Sequence, residues 1–247
     1  MCLEFVLKRI EQLEQTEPTE PTSERTWTLM GSKNGSTDGD ILGRSVLLNA
    51  DGNAAVVSIS GTFGGASLMK YDEVTELWTH SDVIAGGAGV SVTLNVDGNT
   101  FASGDPYPYS GARSVHIVNT ETGGGVTLTG SETFGGPVAL SVDGTRLLVG
   151  NPNVKDINGD RVGAVHIYDY NGSWNENVNI PKIEGLSDDN FGYTIALSKD
   201  GKMVAISGNG VVEVYDISKT SLHKIGGNIA GVYNVGQKIS LSADGTT

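Results

Sequence analysis

The residues most able to do chemistry are Asp156, Asn158 and Asp160, in the run Asp156-Ile157-Asn158-Gly159-Asp160. Oxygen-bearing side chains two apart can converge on one calcium ion in a tight loop, and Gly159 permits the bend. A twelve-residue calcium loop closes on a bidentate Glu, yet the twelfth position from Asp156 is Ile167. The same residues are ordinary turn formers, so a polar hairpin tip competes with the calcium site. Ser187-Asp188-Asp189-Asn190 is a weaker version of the pattern. His116 and His166 lie at matching places in two similar stretches, where others carry Met69 and Glu213. A position that accepts His, Met and Glu reads as a partly exposed strand face rather than a general base. His80 and His223 are isolated. There is no nucleophile elbow, phosphate loop, HExxH or cysteine pair. Gly123–Gly125 has no following helix to cradle a phosphate.

The elements that would position these residues are set by a repeat. An Asp-Gly pair follows the same short apolar stretch five times: SVLLNADGN, SVTLNVDGN, PVALSVDGT, TIALSKDGK and KISLSADGT. The aspartates are Asp51, Asp97, Asp143, Asp200 and Asp244, in steps of 46, 46, 57 and 44 residues. A near-constant step of this size marks a repeat architecture. Alternating apolar residues run up to each Asp-Gly and a second strand leaves it, which predicts a β-hairpin with Gly at the turn. A third strand follows over Leu68–Asp72, Val115–Asn119, Val165–Asp169 and Val211–Asp216, and three of these end in Tyr-Asp. A fourth, weaker strand carries Trp78 or Trp174, which reads as outer-strand packing before it reads as a sugar platform. Four antiparallel strands in a unit of about 45 residues predict a propeller blade. The pairs Val46/Leu48, Val92/Leu94, Val138/Leu140, Ile195/Leu197 and Ile239/Leu241 sit two apart. Each pair would face one side of its sheet and bury against a neighbouring blade.

The fold class expected is therefore all-β, a propeller of four-stranded antiparallel blades. Residues 1–24 stand apart from it. Leu3, Val6, Ile10 and Leu13 space a short helix over 1–15. TEPTEPTSE, residues 16–24, is an acidic Pro/Thr linker that cannot pack a core. The repeats occupy 25–247, with blades at about 43–84, 88–130, 134–183 and 190–228 and a partial blade at 235–247. Thirty-five glycines and 6% aromatic residues suit short strands joined by tight turns. A net charge of −13 repels DNA and RNA, so nucleic acid is not an expected partner. The single cysteine, Cys2, allows no disulfide within the chain. No apolar run reaches the length of a membrane-spanning helix. The apolar stretch Cys2–Leu7 is too short for a secretory signal, and Lys8 and Arg9 follow it instead of preceding it.

Phe134-Gly135 opens the third unit and Gly150-Asn151-Pro152 follows its turn; Phe191-Gly192 opens the fourth, and Gly104-Asp105-Pro106 lies at the matching place in the second. These residues resemble the FG-GAP repeat of integrin-α-type β-propellers, especially the variant of bacterial and algal surface proteins. The resemblance covers roughly residues 27–247. The first unit departs from it with Leu42-Gly43 and Ile59-Ser60-Gly61, and the fifth with Val235-Gly236. It implies an extracellular or cell-surface module that recognises protein or glycan at a loop face. Relatives of this kind bind calcium in the loop between a blade's first two strands. Here that loop has shrunk to Asp-Gly, and one carboxylate cannot supply the roughly six to eight oxygens calcium takes. The five aspartates are thus expected to form turns, leaving Asp156, Asn158 and Asp160 as the calcium candidate.

Trp27 matches the fourth-strand position of Trp78 and Trp174, and Thr247 lies just past the fifth turn. This inventory predicts part of a longer propeller of six or seven blades, an open array whose end faces would meet the missing blades or another copy. The expected function is non-catalytic recognition as part of a larger surface protein. The alternatives are a propeller-type hydrolase or lyase acting at the central channel, or a structural spacer. The residues opening the inner strands, Gly43-Arg44, Gly89-Val90, Gly136-Pro137, Gly192-Tyr193 and Gly236-Gln237, repeat no catalytic set.

Overall fold

The computed structural model describes residues 3–4, 32–33, 41–60, 65–80, 84–85, 90–106, 113–186, 190–231 and 236–247. The linker at 16–24, Trp27, Ser187–Asp189 and Val235 lie outside them, as does most of the helix expected over 1–15. Within that stretch, β1 (Leu3–Glu4) pairs antiparallel with β2 (Ser32–Lys33), so these two residues are extended rather than helical.

Four antiparallel sheets follow in sequence order. The first is β3 (Ile41–Leu48), β4 (Ala54–Ser60), β5 (Gly65–Asp72) and β6 (Leu77–His80), with β7 (Ile84–Ala85) also on β5. The second is β8 (Ser91–Leu94), β9 (Thr100–Asp105), β10 (Arg113–Asn119) and β11 (Gly124–Gly130). The third is β12 (Val138–Leu140), β13 (Arg146–Asn151), β14 (Ala164–Tyr170) and β15 (Trp174–Glu176), with β16 (Lys182–Glu184) also on β14. The fourth is β17 (Ile195–Leu197), β18 (Met203–Gly208), β19 (Val211–Asp216) and β20 (His223–Ala230). Each is a simple meander, the blade that the repeat predicts. Among the described residues no helix is long and apolar enough to cross a membrane.

Each of the five repeat Asp-Gly pairs makes the same turn. The residue two before the Asp donates its N–H to the carbonyl five residues on, and the Gly N–H returns to it, as in Ser141–Arg146 and Gly144–Ser141. The glycines sit at φ between +68° and +72°, a region that side chains with a Cβ resist. Close approach adds a second reason. A Cβ on Gly245 would lie 2.5 Å from Met203 Cβ, and one on Gly98 2.4 Å from Ala54 Cβ. Each of these turns presses on the blade before it.

The core lies in the seams between blades. Val92 and Leu94 pack on Val56 and Leu68 of the first blade. Val138 and Leu140 pack on Ala102 and Val115 of the second, and Ile195 and Leu197 on Leu148 and Ile167 of the third. Ile239 and Leu241, of the fifth unit, pack on Ala205 and Val212. The expected inner-strand pairs therefore all face the preceding blade from the second unit onward; in the first unit Leu48 is 45% exposed. The second strands serve two seams at once. Leu147 and Val149 face the second blade while Leu148 faces the fourth. Phe134 and Phe191 are buried in successive seams, edge-on to Tyr168 and Tyr215 at 6.3 and 6.4 Å. The recurring Phe-Gly and Tyr-Asp motifs thus meet ring to ring.

The strand ladders correct one alignment. His116 pairs with Ser103, His166 with Val149 and Glu213 with Ile206. Each of those partners follows the Asp of its turn by the same number of residues, and the matching residue of the first blade, Val57, pairs with Ser67. Ser67, not Met69, is therefore the counterpart of the histidines, and Tyr71 is the counterpart of Tyr170, not Tyr168. The ring pairs agree: Tyr71–Trp78 and Tyr170–Trp174 lie 5.7 and 5.5 Å apart at tilts of 50° and 48°. A slip of two residues keeps every side chain on its own face, so apolar alternation cannot detect it.

Candidate functional site

The calcium candidates fall together on one hairpin tip, between β13 and β14. Asp156 Oδ1 accepts the N–H groups of Asn158 and Asp160 at 2.9 and 3.0 Å, and its Oδ2 accepts the Asn158 amide at 3.1 Å. Those bonds hold the Asp156 carboxyl below its ordinary range, the N–H of Asp160 foremost. The Asp156 and Asp160 backbones close the tip, and Gly159 turns it at φ +90°. This is the hydrogen bonding of an Asx turn.

His116 is partly buried between two hydroxyls, Ser114 Oγ at 3.1 Å and Thr127 Oγ1 at 3.0 Å. His166 reaches Glu176 at 3.2 Å and lies edge-on to Phe134. Burial lowers the pKa of both rings. Trp78 and Trp174 are half-buried on the outer strands, Trp78 packed against a buried cluster of the first blade and Trp174 against the seam between the second and third.

The site that the sequence did not single out lies at the opposite end from the calcium candidates, among the Asp-Gly turns. A cleft of about 340 Å³ opens between the third and fourth blades. The third blade contributes Ser141, Thr145, Arg146, Asp169 and Tyr170, and the fourth contributes Asp200, Gly201, Lys202 and Ser218. Strand pairing places Arg146 directly across from Asp169. The guanidinium grips that carboxylate with two bonds, Nε to Oδ1 at 2.7 Å and Nη2 to Oδ2 at 3.0 Å. Its Nη1 crosses the seam to the carbonyls of Gly201 and Ile217 at 3.0 and 3.2 Å.

Asp169 also accepts the Asn177 amide at 2.6 Å. Asn177 lies in the segment between β15 and β16, part of the extra length that stretches this repeat step. Burial tends to raise the Asp169 carboxyl, but the bonds from Arg146 and Asn177 outweigh it and hold it below the usual range. At the matching positions of the second blade, Asn119 donates to Thr100 Oγ1 at 2.9 Å and accepts the N–H groups of Glu121 and Thr122. In the fourth blade the counterparts are Met203 and Asp216, and Asp216 serves the next turn by accepting from Ser218. A charged residue in the slot after the turn, occupied elsewhere by Ala54, Thr100 and Met203, was the signal that could have found Arg146.

The cleft's other charges pair as well. Lys202 Nζ lies 3.1 Å from Asp200 Oδ2. Asp200 also accepts from Ser198 Oγ at 2.7 Å, the chief reason its carboxyl is held low. Thr145 and Ser218 spend their hydroxyl protons on Asp143 and Asp216, so each keeps an oxygen that can accept. Tyr170 is 48% exposed at the rim. The arrangement can hold a small ligand by hydrogen bonds and one aromatic face.

No protein-family model and no curated protein matches the chain. Solved structures do. Hydrazine synthase of Kuenenia stuttgartiensis aligns with a TM-score of 0.59 at 18% identity, over 81% of this chain and 65% of that one. A candidate 6-phosphogluconolactonase of Bacteroides fragilis aligns with a TM-score of 0.58 at 14% identity, over 81% and 61% of the two chains. The fold is a β-propeller. A third neighbour, a candidate 6-phosphogluconolactonase of Bacteroides uniformis, aligns with a TM-score of 0.57 at 15% identity, over 81% and 61%. The chain thus spans less than two thirds of each neighbour's length, and at these identities the likeness carries the propeller fold alone.

Proposed function

We propose that this propeller is a recognition module that binds a protein or glycan ligand without catalysing a reaction, as part of a larger cell-surface or extracellular protein. The observation that carries the reading is the cleft between the third and fourth blades. Its arginine, lysine and two aspartates are paired with one another, while hydroxyl oxygens and an exposed aromatic ring remain available. Such groups orient a ligand; a hydrolase or lyase needs a base or nucleophile left free to react. The Phe-Gly and Gly-x-Pro motifs, which resemble FG-GAP repeats, support the same assignment and the surface location.

The test is direct binding of the labelled chain to immobilised glycans and proteins, run beside hydrolysis assays on lactones and glycosides. Saturable binding without turnover supports recognition. Turnover of a lactone, abolished by Asp169→Asn or Asp200→Asn in a folded variant, overturns it.

A further inference from the structure

We propose that the cleft between the third and fourth blades is a carbohydrate site that takes one uncharged sugar residue, with the Tyr170 ring as its platform; this rests on the recognition reading above.

The charge pattern argues first for an uncharged ligand. Arg146 and Lys202 face Asp169 and Asp200, two cations against two anions. Four N–H···O bonds already engage the guanidinium, two to Asp169 and two to backbone carbonyls. Of its five N–H groups about one is left. A phosphate or carboxylate entering here would find no free guanidinium fork, and would meet the carboxylates of Asp169 and Asp200 beside it. A cation would meet Lys202 and Arg146. A neutral ligand disturbs neither pair.

The hydrogen-bonding inventory argues next for a polyol. Thr145 Oγ1 and Ser218 Oγ have each donated their proton and keep lone pairs. The Lys202 ammonium has one ion-pair partner, Asp200, and further N–H groups to give. The Tyr170 hydroxyl has no partner among the described residues. Acceptors and donors therefore both line the cavity, and a sugar hydroxyl is both at once. Tyr170 presents an exposed ring, steadied by Trp174 at 5.5 Å, on which the C–H face of a pyranose can lie. About 340 Å³ is at the small end of ligand cavities, suited to one residue of a chain rather than to a long segment.

Arg146 is a positioning residue in this scheme. It ties Asp169 to the carbonyls of Gly201 and Ile217, so it sets the spacing between the blade that carries Tyr170 and the blade that carries Lys202.

The experiment is saturation-transfer NMR and calorimetry of the full chain with the methyl glycosides of glucose, galactose, mannose and N-acetylglucosamine, and with glucose 6-phosphate. At least one neutral glycoside is expected to bind, and Tyr170→Ala to weaken it about tenfold or more while leaving the melting temperature within a few degrees. Tyr170→Phe keeps the ring and should retain most of the affinity. Lys202→Met should weaken binding several-fold. Glucose 6-phosphate should bind no tighter than glucose. Absence of glycoside binding, binding indifferent to Tyr170→Ala, or a clear preference for the phosphate ester overturns the assignment. If a protein ligand binds the wild type and Tyr170→Ala equally while no glycoside binds, recognition stands and the sugar site falls. If neither class binds, both fall.

Discussion

The seam between the third and fourth blades and the seam between the fourth blade and the fifth unit use the same repeat positions and reach different ends. Ile183 pairs with Val165, which pairs with Gly150. Ile229 pairs with Val212, which pairs with Ser207 at the position matching Gly150. The two isoleucines are counterparts, as is Leu128 of the second blade. Yet Ile183 is 1% exposed and Ile229 57%. Ile183 faces Val204 and Ile206, second-strand residues of the next blade. Among the described residues of the fifth unit, the apolar side chains packed on this seam are the inner-strand residues Ile239 and Leu241. The repeat therefore assigns a residue its face, but burial comes from the neighbour's second and third strands. The polar ends of the seams differ as well. Arg146 spans the first, while its counterpart Met203 makes no such bridge.

The largest expected effect separates the isoleucines. Ile183→Ala should cost about 3 kcal/mol in urea unfolding, the transfer and cavity loss of a filled site. Ile229→Ala should cost less than about 1 kcal/mol. Equal costs would mean that Ile229 is covered in solution and would break the comparison.

Next comes the bridge. Arg146→Met leaves Asp169 its bond from Asn177 but no cation, and frees two carbonyls; it should cost about 2 kcal/mol, tempered by partial exposure. The reverse graft, Met203→Arg, should change stability by no more than about 0.5 kcal/mol, because Asp216 is already held by Ser218 and Lys219. A large gain from the graft would show that the arginine alone, not its cross-blade carbonyls, makes the staple.

A smaller effect is acid sensitivity. Asp169 has a folded pKa below its unfolded value, so its contribution is present above about pH 4 and is lost as pH falls through the folded value. Asp169→Asn should flatten the acid limb of the stability curve between neutral pH and pH 3. An unchanged limb would place the acid sensitivity in other carboxylates. The smallest effect is a titration only. Asp244 Oδ1 accepts from Ser242 Oγ and Thr246, with Ser242 foremost, which pushes its pKa down to about 2. A carboxyl chemical-shift titration should place it there, and Ser242→Ala should return it toward the ordinary value. An unmoved midpoint would show that the hydroxyl is not the cause.

Much of the fold was legible because its signals are local. Asp-Gly turns and alternating aliphatic residues each depend on neighbours a few residues away, and they suffice for the all-β fold of four-stranded antiparallel sheets. The turn chemistry was only half legible. In the first two blades Asn49 and Asn95 clasp Asn53 and Asn99 through their amides. In the later three, Ser141, Ser198 and Ser242 donate to the turn aspartate. Both sequences make one backbone turn, so only the second kind involves the carboxylate. The cleft was not legible. Its residues are spread from Ser141 to Ser218 and no motif links them.

The sequence alone determined the strand period, the turn sites and the face that each aliphatic residue presents, since those follow from backbone geometry within a repeat. It also determined a net charge of −13. Tertiary structure decided the two-residue offset of the first blade, because a slip of two is invisible to alternation. It also decided that Arg146 spends its charge across a seam, and that Ile183 and Ile229 fare differently. Those outcomes depend on which atoms lie opposite in the next blade, and that pairing forms only when the blades stack.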